Sequence, residues 1–331
     1  MGRVGGATLS GGGRIDPEVA TFVDQVQQGF ARHPDLARMS FAEQRAVAEQ
    51  VRAPWRQGGP AMDRTWDRVV STPAGDVRLR LFDPGRPAGP GPALVYLHGG
   101  GFTTFSLDTH DRLMREYAVR AGVLVIGVDY ALSPEARFPT ALNQVVGVLD
   151  WLFVAGEAVG VDPARVAVGG DSAGANLALA ACLILRDRGA AVRPAALLSN
   201  YGFFDADFET ASQRRFGDPG AMLTRDELAG FLDNYLGPGW SAPSPLALPG
   251  LADLHDLPPS FHVIAECDPL ADGDQAMAER LRAAGNRCDF VVYAGATHSF
   301  LEAVSISALA DRALSDGAAW LRRTLCVDPA G

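Results

Sequence analysis

Val19, Phe22, Val23 and Val26 recur at the spacing of one helix face, and Asp16 stands as an N-cap before Pro17 at the first helical position. A helix is therefore predicted from Pro17. Ser40-Phe41-Ala42-Glu43 is a capping box that opens a second helix running through Val51. From Asp76 to Phe82 the period drops to two, with Val77, Leu79 and Leu81 alternating with Arg78 and Arg80. That is the pattern of a strand with one face in solvent. Pro84, Pro87, Pro90 and Pro92 follow and mark a surface loop.

Beyond residue 90 the rhythm changes. Ala93–Leu97 and Val123–Ile126 are continuous apolar runs, as strands covered on both faces require. Shorter runs follow at Val166–Val168, Ala196–Leu198, Phe261–Ala265 and Phe290–Tyr293. Helical stretches at 112–121, 142–154, 173–185 and 275–284 separate most of them. Strand alternating with helix predicts an α/β fold with a mostly parallel central sheet flanked by helices. Residues 201–258 interrupt this order with one clear helix, opened by the capping box Thr224-Arg225-Asp226-Glu227, and a proline-rich stretch. A connection that long is expected to lie over the ligand site. The expected organisation is N-terminal cap helices over 1–55 and a catalytic domain over 56–331, with a cap insertion at about 201–258.

Composition changes the picture by exclusion. All 29 basic residues among the 331 are arginine, against 39 acidic ones, for a net charge of −10. Without lysine there is no Schiff base, no P-loop lysine and no Ser-x-x-Lys acylation pair. The acidic balance argues against nucleic acid or an anionic membrane surface as partner. Cys182, Cys267, Cys288 and Cys326 are scattered and read as reduced thiols rather than as a disulfide frame or a zinc site. Residues 1–15 lack the apolar core of a signal peptide, and Gly6 stands where a myristoylation motif opening at Gly2 needs Ser or Thr. The stretch Val145–Ala155 is too short to span a bilayer. A soluble, cytoplasmic protein is expected, with oligomeric state open and a homo-oligomer compatible with it.

Gly170-Asp171-Ser172-Ala173-Gly174 lies between a predicted strand and a predicted helix. In such an elbow the glycines permit a tight turn that lifts the serine hydroxyl above the sheet. The pattern alone is weak, since this composition gives about 0.2 matches by chance; its context is what gives it weight. His98-Gly99-Gly100-Gly101 ends the buried strand 93–97, and its glycines let backbone N–H groups approach a ligand oxygen, as an oxyanion hole needs. Chance gives only about 0.01 such matches.

A serine nucleophile needs a base, and the base needs an acid to orient it. Of the six histidines, His33 falls in the cap, His98 in the glycine loop, His110 at the polar start of a helix and His255 in the insertion. His262, inside an apolar strand, reads as a satisfied core residue. His298 follows the strand 290–293 on a small-residue loop, where α/β sheets place working groups. Asp268 follows the strand 261–265, with Glu266, Asp272 and Asp274 as rivals. The order Ser, Asp, His suits an α/β-hydrolase. Asp205-Ala206-Asp207 and Asp272-Gly273-Asp274 lack the further ligands of a calcium loop, and no metal or cofactor is expected.

These residues, together with Leu107–Arg112, Asp129–Pro139, Asp268-Pro269-Leu270 and His298-Ser299-Phe300, resemble the hormone-sensitive-lipase-like α/β-hydrolases, and among them the bacterial acetyl esterases. The resemblance covers nearly all of the chain past residue 90. It implies a Ser172–His298–Asp268 triad and an oxyanion hole from the N–H groups of Gly100, Gly101 and Ala173, with Gly99 as a further candidate. It also implies a helical cap, no cofactor, and hydrolysis of a small-molecule short-chain acyl ester through an acyl-enzyme. Two positions depart from the family pattern: Ala131 where many members carry arginine, and Ser299 where many carry glycine. A dedicated deacetylase, lactonase or amidase for a bulky metabolite would use the same triad. A non-catalytic receptor on this fold, like the plant gibberellin receptors, would lack the histidine. Phe22, Phe30, Phe203 and Phe204 are expected to fill the core of the cap.

Overall fold

The structure, a computed structural model, describes residues 14–325. Gly2, Gly6 and Cys326 lie outside them. Eight strands form one sheet: β1 (Arg64–Thr72), β2 (Gly75–Asp83), β3 (Gly91–Leu97), β4 (Leu124–Asp129), β5 (Val161–Asp171), β6 (Ala196–Asn200), β7 (Ser260–Cys267) and β8 (Cys288–Thr297). Their order is β1-β2-β4-β3-β5-β6-β7-β8. β1 and β2 form an antiparallel hairpin, β2 pairs antiparallel with β4, and every later pairing is parallel.

The continuous apolar runs divide between the two faces with the period of two that a pleated strand imposes. Ala93, Val95 and Leu97 of β3 face one core, and Leu94 and Tyr96 face the other. α4 (Thr140–Ala155), α5 (Ala173–Asp187) and α8 (Ala271–Ala283) cover the first face. α1 (Pro17–Ala31), α3 (Asp111–Ala121) and α9 (Ala308–Leu325) cover the second. Each helix turns an apolar stripe inward. In α3 the buried set is Leu113, Met114, Tyr117, Ala118 and Ala121, with Glu116, and Gly122 ends the helix in the left-handed conformation.

The predicted N-terminal helices are present with their caps. Asp16 Oδ1 accepts from the N–H groups of Glu18 and Val19, and the capping box of α2 (Phe41–Arg52) is closed in both directions. Between β6 and β7, α7 (Arg225–Leu236) carries its predicted capping box, and a short α6 (Ala211–Phe216) precedes it. The apolar stretch after residue 140 is longer than its pattern suggests, because α4 runs on into a 3₁₀ turn. Residues 140–159 thus make a 20-residue helical stretch whose length and mean hydropathy of 1.3 would suit a bilayer. Half of it is buried, and Leu142, Val145, Leu149 and Leu152 belong to the core on the first face of the sheet. Cys182, Cys267 and Cys288 are buried free thiols.

Candidate active site

Ser172 sits between the last residue of β5 and the first of α5, at φ 54° and ψ −119°. A non-glycine residue held there is strained, and its backbone is fixed from both sides. Its N–H donates to the Asn200 carbonyl (2.9 Å), and its carbonyl accepts from the Asn176 and Phe203 N–H groups (3.2 Å each). Gly170 and Gly174 are required by close approach. A Cβ at either position would run into the Leu97 carbonyl of the neighbouring strand. The turn therefore needs these glycines to bring β5 and α5 this close to β3.

His298 follows β8 directly. Its Nδ1 lies 2.7 Å from Asp268 Oδ2, and its Nε2 lies 3.0 Å from Ser172 Oγ. An ionised carboxylate only accepts, so the ring carries its proton on Nδ1 and leaves Nε2 free to accept from the serine. Asp268, fully buried in the loop after β7, has its other oxygen held by the Leu270 N–H (2.9 Å). Among the rivals, Glu266 accepts from the Gly295 N–H and Asp272 from the Ser212 N–H, while Asp274 pairs with His262 Nδ1 at 2.9 Å. Only Asp268 reaches His298. His262 is buried in the core, as its surroundings implied, but only half satisfied: Nδ1 meets Asp274, while Nε2 has no hydrogen-bond partner among the described residues. Ser299 adopts φ 60°, the left-handed conformation that explains a preference for glycine after this histidine.

The glycine loop meets the serine from the other side. Gly100 and Gly101 have φ 106° and 58°, and among the described residues their N–H groups have no acceptor; nor does that of Ala173, at the start of α5. Gly100, Gly101, Ser172 and His298 line one cavity of about 270 Å³. Gly99 is not on its wall, since its α-carbon packs against the Asp171 carboxylate instead.

The rest of the wall comes from α1, α2, α7 and the segments beside them, including Phe30, Phe41, Arg45, Phe203, Leu223, Leu228 and Phe231. Phe30 and Phe203 therefore border the cavity, whereas Phe22 and Phe204 pack away from it in the core. Their apolar character alone did not separate the two pairs, because core and pocket select the same side chains. Arg45 also braces the loop: its Nε donates to the Thr103 carbonyl (2.8 Å), and its terminal nitrogens reach Ser133 O and Glu135. Tyr201 meets the His298 ring edge-on at 5.1 Å.

Sequence reasoning missed a buried pair next to the serine. His110 Nε2 lies 3.2 Å from Asp171 Oδ2, and Asp171 Oδ1 accepts from the Tyr96 hydroxyl at 2.9 Å. Burial alone would raise the Asp171 carboxyl and lower the His110 imidazole. Their mutual attraction outweighs it, leaving Asp171 below the ordinary carboxylate range and His110 above its usual value. His98, buried beside His110, is pulled down to about 3 by burial and by its neighbour's charge. The available signal was Asp171's place inside the serine motif.

A family profile described as the alpha/beta hydrolase fold matches residues 94–302. The chain is 37% identical over 307 residues to the acetyl esterase of Salmonella typhi, covering 92% of this chain and 93% of that one. Among solved structures, it is similar to the hyperthermophilic esterase of the archaeon Pyrobaculum calidifontis, with TM-score 0.85 and 32% identity, covering 93% of this chain and 98% of that one. It is also similar to an alpha/beta hydrolase enzyme from the metagenome of Lake Arreo in Spain, with TM-score 0.88 and 30% identity, covering 95% and 99%. Eight strands, a serine at a strained strand-to-helix turn and these likenesses lead to one conclusion: the chain belongs to the α/β-hydrolase family, in its hormone-sensitive-lipase-like branch.

Proposed function

We propose that Ser172, His298 and Asp268 act as the catalytic triad of a serine carboxylesterase for short-chain acyl esters. The chain is a carboxylic ester hydrolase, and its substrate is a small-molecule ester. The observation that carries the triad is the His298 ring, bonded to Asp268 through Nδ1 and to Ser172 through Nε2 at the wall of a cavity.

His298 Nε2 takes the proton of Ser172 as Oγ attacks the ester carbonyl. The negative charge on the carbonyl oxygen is met by the N–H groups of Gly100, Gly101 and Ala173, preorganised and without another acceptor among the described residues. The tetrahedral intermediate collapses, His298 gives its proton to the leaving alcohol, and Ser172 stays acylated. Water, deprotonated by the same nitrogen, attacks the acyl-enzyme, and collapse returns the proton to Ser172 and frees the acid. Asp268 holds the ring's tautomer and stabilises the imidazolium without itself being protonated. We read α1, α2 and the segment 201–258 as the cap, and the apolar residues Phe203, Leu223, Leu228 and Phe231 as the acyl wall.

A second reading, a deacetylase for an ester of a bulky alcohol, is favoured by one feature. A wider groove between α1 and residues 217–226 shares Phe30, Leu36, Arg52, Met222 and Glu227 with the cavity. Comparing nitrophenyl acetate with acetylated sugars and other bulky acetates separates the two readings. For the reaction itself, Ser172→Ala is expected to keep its circular dichroism and lose on the order of a thousandfold or more in nitrophenyl acetate hydrolysis. Near-normal turnover would overturn the assignment.

A further inference from the structure

Asp171 presents a difficulty for an oxyanion site. Its carboxylate is only 3% exposed, borders the reaction cavity and touches the α-carbon of Gly99, next to the N–H donors of Gly100 and Gly101. A fixed negative charge there opposes the charge that develops on the substrate oxygen, and the low-dielectric surroundings strengthen that opposition.

His110 has a polar partner at each ring nitrogen. Nε2 meets Asp171, which can only accept. Nδ1 lies 2.9 Å from Thr109 Oγ1, which also accepts from the Ser106 N–H (3.0 Å) and lies 2.9 Å from the Ser106 carbonyl; we assign the hydroxyl hydrogen to that carbonyl, which makes Oγ1 an acceptor for Nδ1–H. A ring that donates from both nitrogens is an imidazolium. The adjacent His98 differs: its Nδ1 donates to the Gly99 carbonyl (2.7 Å), and burial beside His110 favours its neutral form. The raised affinity of His110 for its proton agrees with this geometry.

The pair is also tied to the serine. Tyr117 OH donates to Asn200 Oδ1 (3.1 Å), and Asn200 Nδ2 approaches Tyr96 OH (3.4 Å), which donates to Asp171. The Asn200 carbonyl in turn fixes the Ser172 N–H.

We propose that the buried His110–Asp171 ion pair is a positioning and charge-compensating device of the oxyanion site. Asp171 clamps the glycine loop to the serine turn, and the His110 imidazolium cancels the charge that this clamp places beside the developing oxyanion. The inference rests on the reading of Ser172 as nucleophile. Neither residue touches the reacting atoms.

The test is steady-state hydrolysis of nitrophenyl acetate by His110→Gln, Asp171→Asn and the double variant, with thermal melting of each. His110→Gln is expected to lower kcat by about 10- to 100-fold with KM within about threefold, because Asp171 is left charged and uncompensated. Adding Asp171→Asn removes that charge and is expected to bring kcat back to within about fivefold of Asp171→Asn alone. A double variant as slow as His110→Gln, or a loss confined to KM, overturns the proposal, since a merely structural pair offers no such rescue. If His110→Gln does not fold, Thr109→Val removes the Nδ1 acceptor instead and is expected to show the same loss and the same rescue. Equal kcat with and without Asp171→Asn in that background overturns the proposal. An inactive Ser172→Ala together with no rescue rejects this inference alone, whereas a fully active Ser172→Ala rejects the reading beneath it.

Discussion

The ring of Phe231 lies against the α-carbon of Gly101, where the backbone φ is 58°, so no side chain fits between them. This contact sets an apolar residue of α7 directly on the loop whose N–H groups are proposed to hold the oxyanion. Gly101→Ala is expected to cost at least about 100-fold in kcat/KM while the sheet and its melting transition persist. Phe231→Ala should act on selectivity instead, shifting the preferred acyl chain from acetate toward hexanoate across a series of nitrophenyl esters. An unchanged chain-length profile would mean that the acyl group lies elsewhere.

The choice among carboxylates gives a second test. Asp268→Asn preserves the shape of the side chain but removes the acceptor that fixes the His298 tautomer, and it is expected to lower kcat by about 10⁴-fold. Asp272→Asn, whose carboxylate only caps the Ser212 N–H, is expected to stay within a few-fold, on the order of threefold, of the parent. The reverse ranking would place the acid on the wrong residue.

The inner strands were legible because burial on both faces makes runs such as Ala93–Leu97 and Leu124–Ile126 continuously apolar, and the helices that follow them carry apolar stripes. β1 was not read. Its residues are mostly exposed, with only Val70 buried, so an edge strand held by its hairpin with β2 has little apolar pattern to announce it. α9 does carry a helical stripe, through Leu309, Ala313, Leu314, Gly317, Ala318 and Leu321, but it lies beyond every chemical motif and went unassigned. At the site, Ser172, His298 and Asp268 were recoverable because each stands at the carboxyl end of a readable strand. Phe231, Arg45 and His110 were not, because their roles depend on which loops the fold brings to one point.

His262 links the fold to pH. Burial pushes its imidazole down, but Asp274, with a contribution from Cys288, outweighs this and lifts it to about 9. Burial also holds the Asp274 carboxyl above the ordinary carboxylate range; the alkaline behaviour follows His262, because its imidazolium requires an ionised partner. A raised imidazole contributes stability that is complete below its unfolded value of 6.5 and is lost as pH climbs through about 9. The melting temperature of the parent is therefore expected to fall more between about pH 7 and about pH 10 than that of His262→Asn. Equal falls would show that the pair does not titrate there.

The buried Arg52–Glu302 ion pair (3.1 Å, side chains 5% and 4% exposed) joins α2 to the turn after His298. Arg52→Met leaves Glu302 buried without its cation and is expected to cost about 3–5 kcal/mol of stability, much of it recovered by adding Glu302→Gln. Denaturant unfolding of the two variants measures this, and a double variant no more stable than the single would show that the pair's charge is not what matters.

The central claim is that Ser172 carries the acyl group, and covalent trapping tests it most directly. The purified protein, treated with a nitrophenyl phosphonate and digested, should show by mass spectrometry one adduct, on the peptide containing Ser172. Loss of esterase activity should follow adduct formation one for one, and Ser172→Ala should remain unlabelled. Complete inactivation with Ser172 unmodified, or undiminished hydrolysis with Ser172 fully modified, would contradict the account.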